Sequence, residues 1–496
     1  MYRHFLAVIL ILAIPLLGIV TSQLAGARME RNFQKELQQD AATEPAAAKA
    51  LQDGVTLKAW CRSALADPAT EPEHAAECRS LGRMAWLGAG SVFTLLLGFG
   101  LLGGILWAAK VAANDRDKLL KLFAPGVRYV LFGLFALILL QSLIGSYSLI
   151  ALQAAYLKRI NWTIPLLILL GGVLGSFFML KEGLSVFKRV ETEVVGIALL
   201  PKDQTVLWQF IERIAKRLKA TPPKNLIVGL EPTFYVTSAD VKVQPKGFSH
   251  RGETLYLSLP LMRILSLPEL AAVIGHELGH FRGEDTKFSM EFYPVYAGSA
   301  RALESLQSGD DSIATKAALF PAMAILALFF DRFAVAESAI GRARELEADK
   351  AGASVASPMA IALSLLKIGA YAPLWEKLQD DLFTAAEEGK PLANASKRFV
   401  EEAVQSTTKV KPSALAIVAS ESLPHPTDSH PPTEERIESL GLKFSDVQKQ
   451  SLAVDPATAS SRLIAGLEVI EEKLTEMELA AIRTWMARRD DDDDED

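Results

Sequence analysis

Three apolar stretches, residues 84–109, 129–157 and 164–180, do most to limit what this chain can fold into. A helix needs about 20 apolar residues to cross the hydrocarbon of a bilayer, and each of these is close to or beyond that length. Inside lipid every backbone polar group must be satisfied within the chain, so the stretches read as transmembrane helices. A fourth stretch, residues 5–20, follows Met1-Tyr2-Arg3-His4 and precedes Ala25-Gly26-Ala27, and reads either as a first membrane helix or as a signal peptide. Half of the 496 residues are hydrophobic and the mean hydropathy is +0.21, high for a soluble enzyme with 22% charged residues.

Basic residues orient these helices. Lys110, Arg116, Lys118, Lys121 and Arg128, then Lys181, Lys188 and Arg189, mark the cytoplasmic side. Arg28, Arg31, Arg79 and Arg83 at the ends of a long loop, and Lys158 and Arg159 in a tight turn, argue the other way. They weigh less, because long loops translocate with less regard to charge. The expected topology is that of a multi-pass protein of a bacterial-type inner membrane with everything beyond the last apolar stretch in the cytoplasm. The two cysteines, Cys61 and Cys78, both fall in the loop assigned to the oxidising side, where one disulfide is tolerated; spacing does not decide whether they pair.

The chemistry is concentrated in Gly275-His276-Glu277-Leu278-Gly279-His280. On a helix, positions i and i+4 share a face, so His276 and His280 can offer imidazoles to one zinc ion, with Glu277 at its edge as a general base. The surroundings are helical: Ser266-Leu267-Pro268-Glu269 reads as a capping box with proline in the first turn. An apolar run continues to Phe281, and Gly283 is the expected stop. Gly275 and Gly279 each cost the helix about 1 kcal/mol relative to alanine, which implies close approach by a neighbouring helix or a substrate backbone. The bland alternative is an amphipathic helix with histidines on its polar face.

A catalytic zinc takes three protein ligands and keeps a fourth position open. Residues 339–353 read as a helix with Glu345 and Asp349 on one face at i, i+4. Glu345 is the candidate third ligand, and Asp349 the candidate acceptor for the free ring N–H of a ligating histidine. Taken alone, the segment reads more readily as a solvated face on which Arg342, Arg344 and Lys350 neutralise Glu345, Glu347 and Asp349, and it is the histidine helix that reverses the reading.

These residues resemble the integral-membrane zinc metallopeptidases that include the bacterial HtpX heat-shock proteases and the CAAX prenyl proteases. Their HExxH and later ExxxD are matched by His276, Glu277, His280, Glu345 and Asp349, and a His-Pro followed by arginine by His430-Pro431 and Arg436. The resemblance covers residues 200–440. It implies that His430 helps hold the oxyanion and that Arg436 braces the site through a carboxylate. It also implies a role in degrading damaged membrane proteins. His425-Pro426 is a rival third element at the wrong distance from Arg436, and where the family often has Asn-Ala-Phe on an edge strand this chain has Glu231-Pro232-Thr233-Phe234-Tyr235-Val236.

Around the motifs, residues 225–228, 233–237 and the alternating 254–259 read as strands of a small sheet to which an extended substrate can add. Residues 317–330 are apolar but short for a span, and read as a buried core helix or one lying in the membrane interface. Residues 461–489 have the spacing of an amphipathic helix, and the seven acids of 490–496 read as a disordered tail whose removal would leave a net charge of about +1 instead of −6. No basic patch or aromatic platform points to nucleic acid.

The expected protein is mainly α: polytopic transmembrane helices followed by a zincin-like, mostly helical metallopeptidase domain with a small β-sheet. Its segments are 1–24 (first membrane helix or signal peptide), 25–83 (extracytoplasmic loop), 84–181 (three membrane helices), 185–448 (metallopeptidase), 449–489 (amphipathic helix) and 490–496 (acidic tail). The expected activity is hydrolysis of peptide bonds in unfolded or membrane-associated protein, with one Zn2+ per chain and the lipid bilayer as the other partner. The competing readings are a processing protease for one membrane-linked substrate, and a receptor or scaffold with a structural zinc.

Overall fold

The structure is a computed structural model and describes residues 2–67, 71–112, 115–157, 159–185, 191–245, 247–282, 313–406, 431–448 and 454–493. The chain divides into two compact units, Met1–Val186 with Tyr296–Val335, and Phe187–Val295 with Ala336–Asp496.

The first unit is built on α1 (Tyr2–Asp40), α2 (Pro45–Gln52), α3 (Leu57–Ala64), α4 (Pro72–Ala112), α5 (Arg116–Leu152) and α6 (Thr163–Ser185), with a π-helical turn at Gln153–Leu157. Helices α1, α4, α5 and α6 are each long and apolar enough to cross a membrane. Their outer surfaces carry Trp86, Leu96, Trp107, Leu166 and Phe177, all exposed. Between helices the packing relies on small residues: a Cβ on Gly172 would strike the Ser142 side chain, and one on Gly18 the Ser91 hydroxyl. Polar groups inside bridge neighbouring helices. Gln141 Nε2 donates to the Ile11 carbonyl at 3.0 Å and Ser146 Oγ to that of Pro165 at 2.8 Å.

α1 and α4 have 39 and 41 residues, and at 1.5 Å per residue each is about twice as long as the hydrocarbon is thick. The excess contributes to a helical cap formed by the described residues of 25–83, the segment expected to join the first two membrane helices. Its core is Phe33, Leu57, Cys61 and Cys78, with Trp60 and Leu81 packed against them, and Cys61 and Cys78 form a disulfide. The apolar segment 317–330 lies in the helix Ile313–Val355. Among its described side chains Ile325, Leu326 and Phe329 are buried, and Phe329 stacks on Phe123 of α5 at 5.7 Å.

The second unit has two sheets among its described residues, and the three expected strands all lie in the larger one. One has the order β1 (Glu191–Val195), β5 (Asp240–Gln244), β6 (Phe248–His250); the other β2 (Ile197–Ala198), β3 (Asn225–Gly229), β7 (Thr254–Ser258), β4 (Tyr235–Thr237). β7 alternates in sequence as if one face met solvent, but all five of its residues are buried. It is flanked by β3 and β4, with Leu255 and Leu257 facing the helices and Tyr256 facing Val241 and Val243 of the other sheet.

The helices of this unit are α7 (Thr205–Leu218), α8 (Leu259–Ile264), α9 (Leu267–Gly279), the end of α10 (Ile313–Val355), α11 (Pro358–Glu387), α12 (Ala395–Ser406), α13 (Thr433–Ser439), α14 (Phe444–Gln448) and α15 (Leu467–Asp493). α11 is also apolar enough for a span, yet it packs on α9, α12 and α15, burying Leu366, Tyr371 and Trp375. α15 is the expected amphipathic helix, docked through Leu474 and Leu479, and it continues to Asp493, into the run expected to be disordered. Its Glu471 is fully buried and accepts hydrogen bonds from Arg263 of α8 and from Asn394.

α9 begins as expected: the Ser266 N–H donates to Glu269 Oε2 at 2.7 Å, completing the capping box. The glycines of this helix are explained by α10. A Cβ on Gly275 would lie 3.0 Å from the Gly352 Cα, and one on Gly279 3.2 Å from the Ala348 Cα. Gly352 is the tightest point, where a Cβ would meet the Ala272 carbonyl oxygen at 2.5 Å. Helix propensity favours Gly352→Ala by about 1 kcal/mol, but a collision with backbone has no flexible atom to yield. The variant is therefore expected to be net destabilised by about 2 kcal/mol, read as a lower unfolding temperature of the detergent-purified protein; an unchanged or raised temperature refutes the packing argument.

Candidate metal centre

The α9–α10 contact brings three donors together. Oxygen or nitrogen atoms of His276, His280 and Glu345, all buried, lie within 4.8 Å of one another. His276 Nε2 is 3.5 Å from Glu345 Oε2, and His280 Nε2 is 3.4 Å from Glu345 Oε1. Two ligands about 2.0–2.1 Å from a tetrahedral zinc stand about 3.3–3.4 Å apart, so these spacings and the N2O donor set fit that ion. Among the described residues no fourth protein donor joins them. α9 ends at Gly279, earlier than the expected stop at Gly283, which lies outside the described residues. His280 is the C-cap, still in right-handed helical geometry (φ −68°, ψ −18°), so it stays on the face of His276.

The outer contacts make a chain of charge-assisted bonds. His276 Nδ1 is 2.9 Å from Asp349 Oδ1, and Arg436 Nη2 and Nε donate to the two Asp349 oxygens at 2.7 and 2.8 Å. Burial alone would raise the Asp349 carboxyl, but Arg436 and His276 hold it down to about 2. The carboxylate thus accepts from His276 Nδ1 and leaves Nε2 free to ligate. Burial lowers His276, favouring the neutral ring a ligand needs. At His280 burial acts the same way but is outweighed by the Glu345 carboxylate, and the net shift is upward.

Glu277 stands at the open side of this cluster. It is 5% exposed and its Oε2 has no hydrogen-bond partner. Burial, helped by the charge of Glu345 and opposed by His280, Arg436 and the Val236 backbone, pushes its carboxyl up to about 8. A buried carboxyl with an unpartnered oxygen beside the three donors is placed for proton transfer.

His276, Glu277 and Arg436 line one cavity of about 610 Å3. Its walls are Leu261 of α8, Val273 of α9, Leu365 and Trp375 of α11, and the segment 231–234 leading into β4. β4 is the edge of its sheet, antiparallel to β7, with its outer side unpaired among the described strands. Of the residues singled out in the sequence, His276, Glu277, His280, Glu345, Asp349 and Arg436 converge here. His430 and its rival His425 lie outside the described residues. The solvated-face alternative holds only for the other side of α10, where Glu347 and Lys350 pair at 2.7 Å. Glu376, on the cavity wall, was not anticipated, and Glu231, also on the wall, was singled out only as the start of the segment that replaces the family's edge-strand signature.

One topological consequence is immediate. Asp349 precedes α11 and Arg436 follows it, yet the two are bonded, so α11 cannot be a single membrane crossing despite its hydropathy.

Residues 201–442 match the profile of Peptidase family M48. The chain is similar to a protease HtpX homolog of Archaeoglobus fulgidus, 26% identical over 327 residues that cover 62% of this chain and 92% of the relative. It is also similar to protease HtpX homologs of Pelotomaculum thermopropionicum (25% over 232 residues, 42% of this chain, 78% of the relative) and Burkholderia mallei (28% over 215 residues, 42% and 70%). No solved structure matches the chain.

Proposed function

Residues 201–442 belong to peptidase family M48, and from that premise we propose that this membrane metallopeptidase is a zinc-dependent endopeptidase acting in quality control of membrane proteins. The observation that carries the reading is the buried triad of His276, His280 and Glu345 at tetrahedral spacing, with the unpartnered Glu277 Oε2 beside it. Zinc, when bound there, supplies a Lewis acid that acidifies water and polarises a carbonyl.

The chain's own residues do the rest. Glu277 takes the proton from the attacking water and returns it to the leaving amine. Asp349, braced by Arg436, holds the His276 ring in one tautomer. The free edge of β4 receives the substrate backbone as an added strand, which favours unfolded segments. His430 is proposed as the further donor to the oxyanion on the strength of its motif. The peptidase unit is proposed to face the cytoplasm of a bacterial-type inner membrane, from the basic residues flanking α4, α5 and α6. The scaffold reading is disfavoured because a structural zinc site is usually closed by a fourth protein ligand.

The test is zinc content and casein cleavage by the detergent-purified full chain. About one zinc per chain is expected, with cleavage lost on chelation and restored by Zn2+. A reconstituted protein that binds no zinc, or binds it and cleaves nothing, overturns the reading.

A further inference from the structure

Two carboxylates on the cavity wall have no part in the proposed chemistry. Glu231, just before β4, and Glu376, on α11, are both exposed and line the same cavity as His276 and Glu277. Neither has a side-chain hydrogen bond or ion pair among the described residues. Glu231 is open to solvent but hemmed in by the walls, and burial raises its carboxyl. Glu478 of α15 lies near enough that burial and the charge of Glu231 bring it to about 7. Arg436, the one arginine or lysine among the described lining residues, is committed to Asp349. The remaining wall is largely apolar, formed by Leu261, Val273, Leu365 and Trp375.

A separate sign marks this cavity as a place that takes a ligand. Glu277 Oε2 faces it buried and unpartnered.

We propose that the cleft selects extended segments in which a lysine or arginine neighbours an apolar side chain, with Glu231 and Glu376 receiving the cation and the wall of Leu261, Val273 and Leu365 the apolar group. This rests on the peptidase reading above and names its substrate class. A cation in the cleft meets carboxylates on its wall that no described side chain neutralises. An acidic side chain meets like charge, so discrimination has both an attractive and a repulsive part. Apolar residues next to lysine or arginine occur where transmembrane helices enter the cytoplasm. The substrate class is therefore the cytoplasmic juxtamembrane ends of membrane proteins.

The experiment uses full-length, zinc-loaded protein in detergent and three internally quenched peptides, identical except for Lys, Gln or Glu beside one apolar residue. The wild type is expected to prefer the Lys peptide over the Glu peptide by about tenfold in kcat/KM, with Gln between, and less so at high salt. Glu231→Gln with Glu376→Gln should bring the ratio near one, and Glu231→Lys with Glu376→Lys should invert it. The ratio is read within each protein, so a partial loss of folded material does not distort it. Equal wild-type rates on the three peptides overturn the proposal while leaving the peptidase reading intact, and so does an unchanged ratio in the double variant. Failure to cleave even the Gln peptide or casein overturns both.

Discussion

Glu277→Gln is expected to bind zinc as the wild type does and to lose about 10²–10⁴-fold in kcat/KM on casein or any peptide. The substitution conserves shape, and Glu277 is not among the three donors that meet at the site, so metal content should hold. What disappears is basicity. The Glu277 carboxylate is held in a buried place with one oxygen unpartnered, and its affinity for a proton is raised to about 8. An amide in the same position has no comparable site to take up a proton. Zinc by elemental analysis and initial rates at saturating metal separate the two properties, and a variant within tenfold of wild type would remove Glu277 from the mechanism.

Glu345→Ala is expected to lose the metal itself. His276 and His280 are neutral donors when they ligate, so Glu345 supplies the only negative charge among the three. Its loss leaves a dication facing the Arg436 guanidinium, which now lies 3.9 Å from the Glu345 carboxylate. The fall in zinc affinity should exceed the ~10–100-fold typical of losing a residue that only orients a ligand. Competition with a chelator of known affinity measures it. A variant that keeps its zinc under those conditions would point to a different third ligand, and an unfolding temperature near that of the wild-type apoprotein would show that the loss is not a consequence of misfolding.

Much of this site was legible in the sequence because its pieces are local. The Ser266–Glu269 box, the i, i+4 histidines and the Glu345–Asp349 pair each declare themselves within a few residues. The apolar stretches were equally plain, since a bilayer demands length and little else. What the sequence could not show depends on partners far along the chain. The glycines of α9 implied a neighbour without naming Gly352, and Glu231 and Glu376 become cleft residues only when the loop before β4 and α11 converge. β1, β2, β5 and β6 were missed because they are short or polar, although Asp240-Val-Lys-Val-Gln244 does alternate, with Val241 and Val243 buried. The packing within 25–83 was not legible because its core of Phe33, Leu57, Cys61 and Cys78 comes from three separate helices.

The capping glutamate of α9 also reaches across to α11. Lys367 Nζ lies 2.9 Å from Glu269 Oε1 and both residues are almost fully buried. A desolvated ion pair of this kind adds little net stability, since an apolar pair of the same volume is often as good. Its effect lies in what it forbids. Sliding α9 by one turn along α11 would displace it about 5.4 Å and strand two opposite charges in the core, each costing several kcal/mol. The pair thus acts as an alignment pin between α9, which carries His276 and Glu277, and α11, whose Leu365 and Trp375 form the facing wall of the cavity.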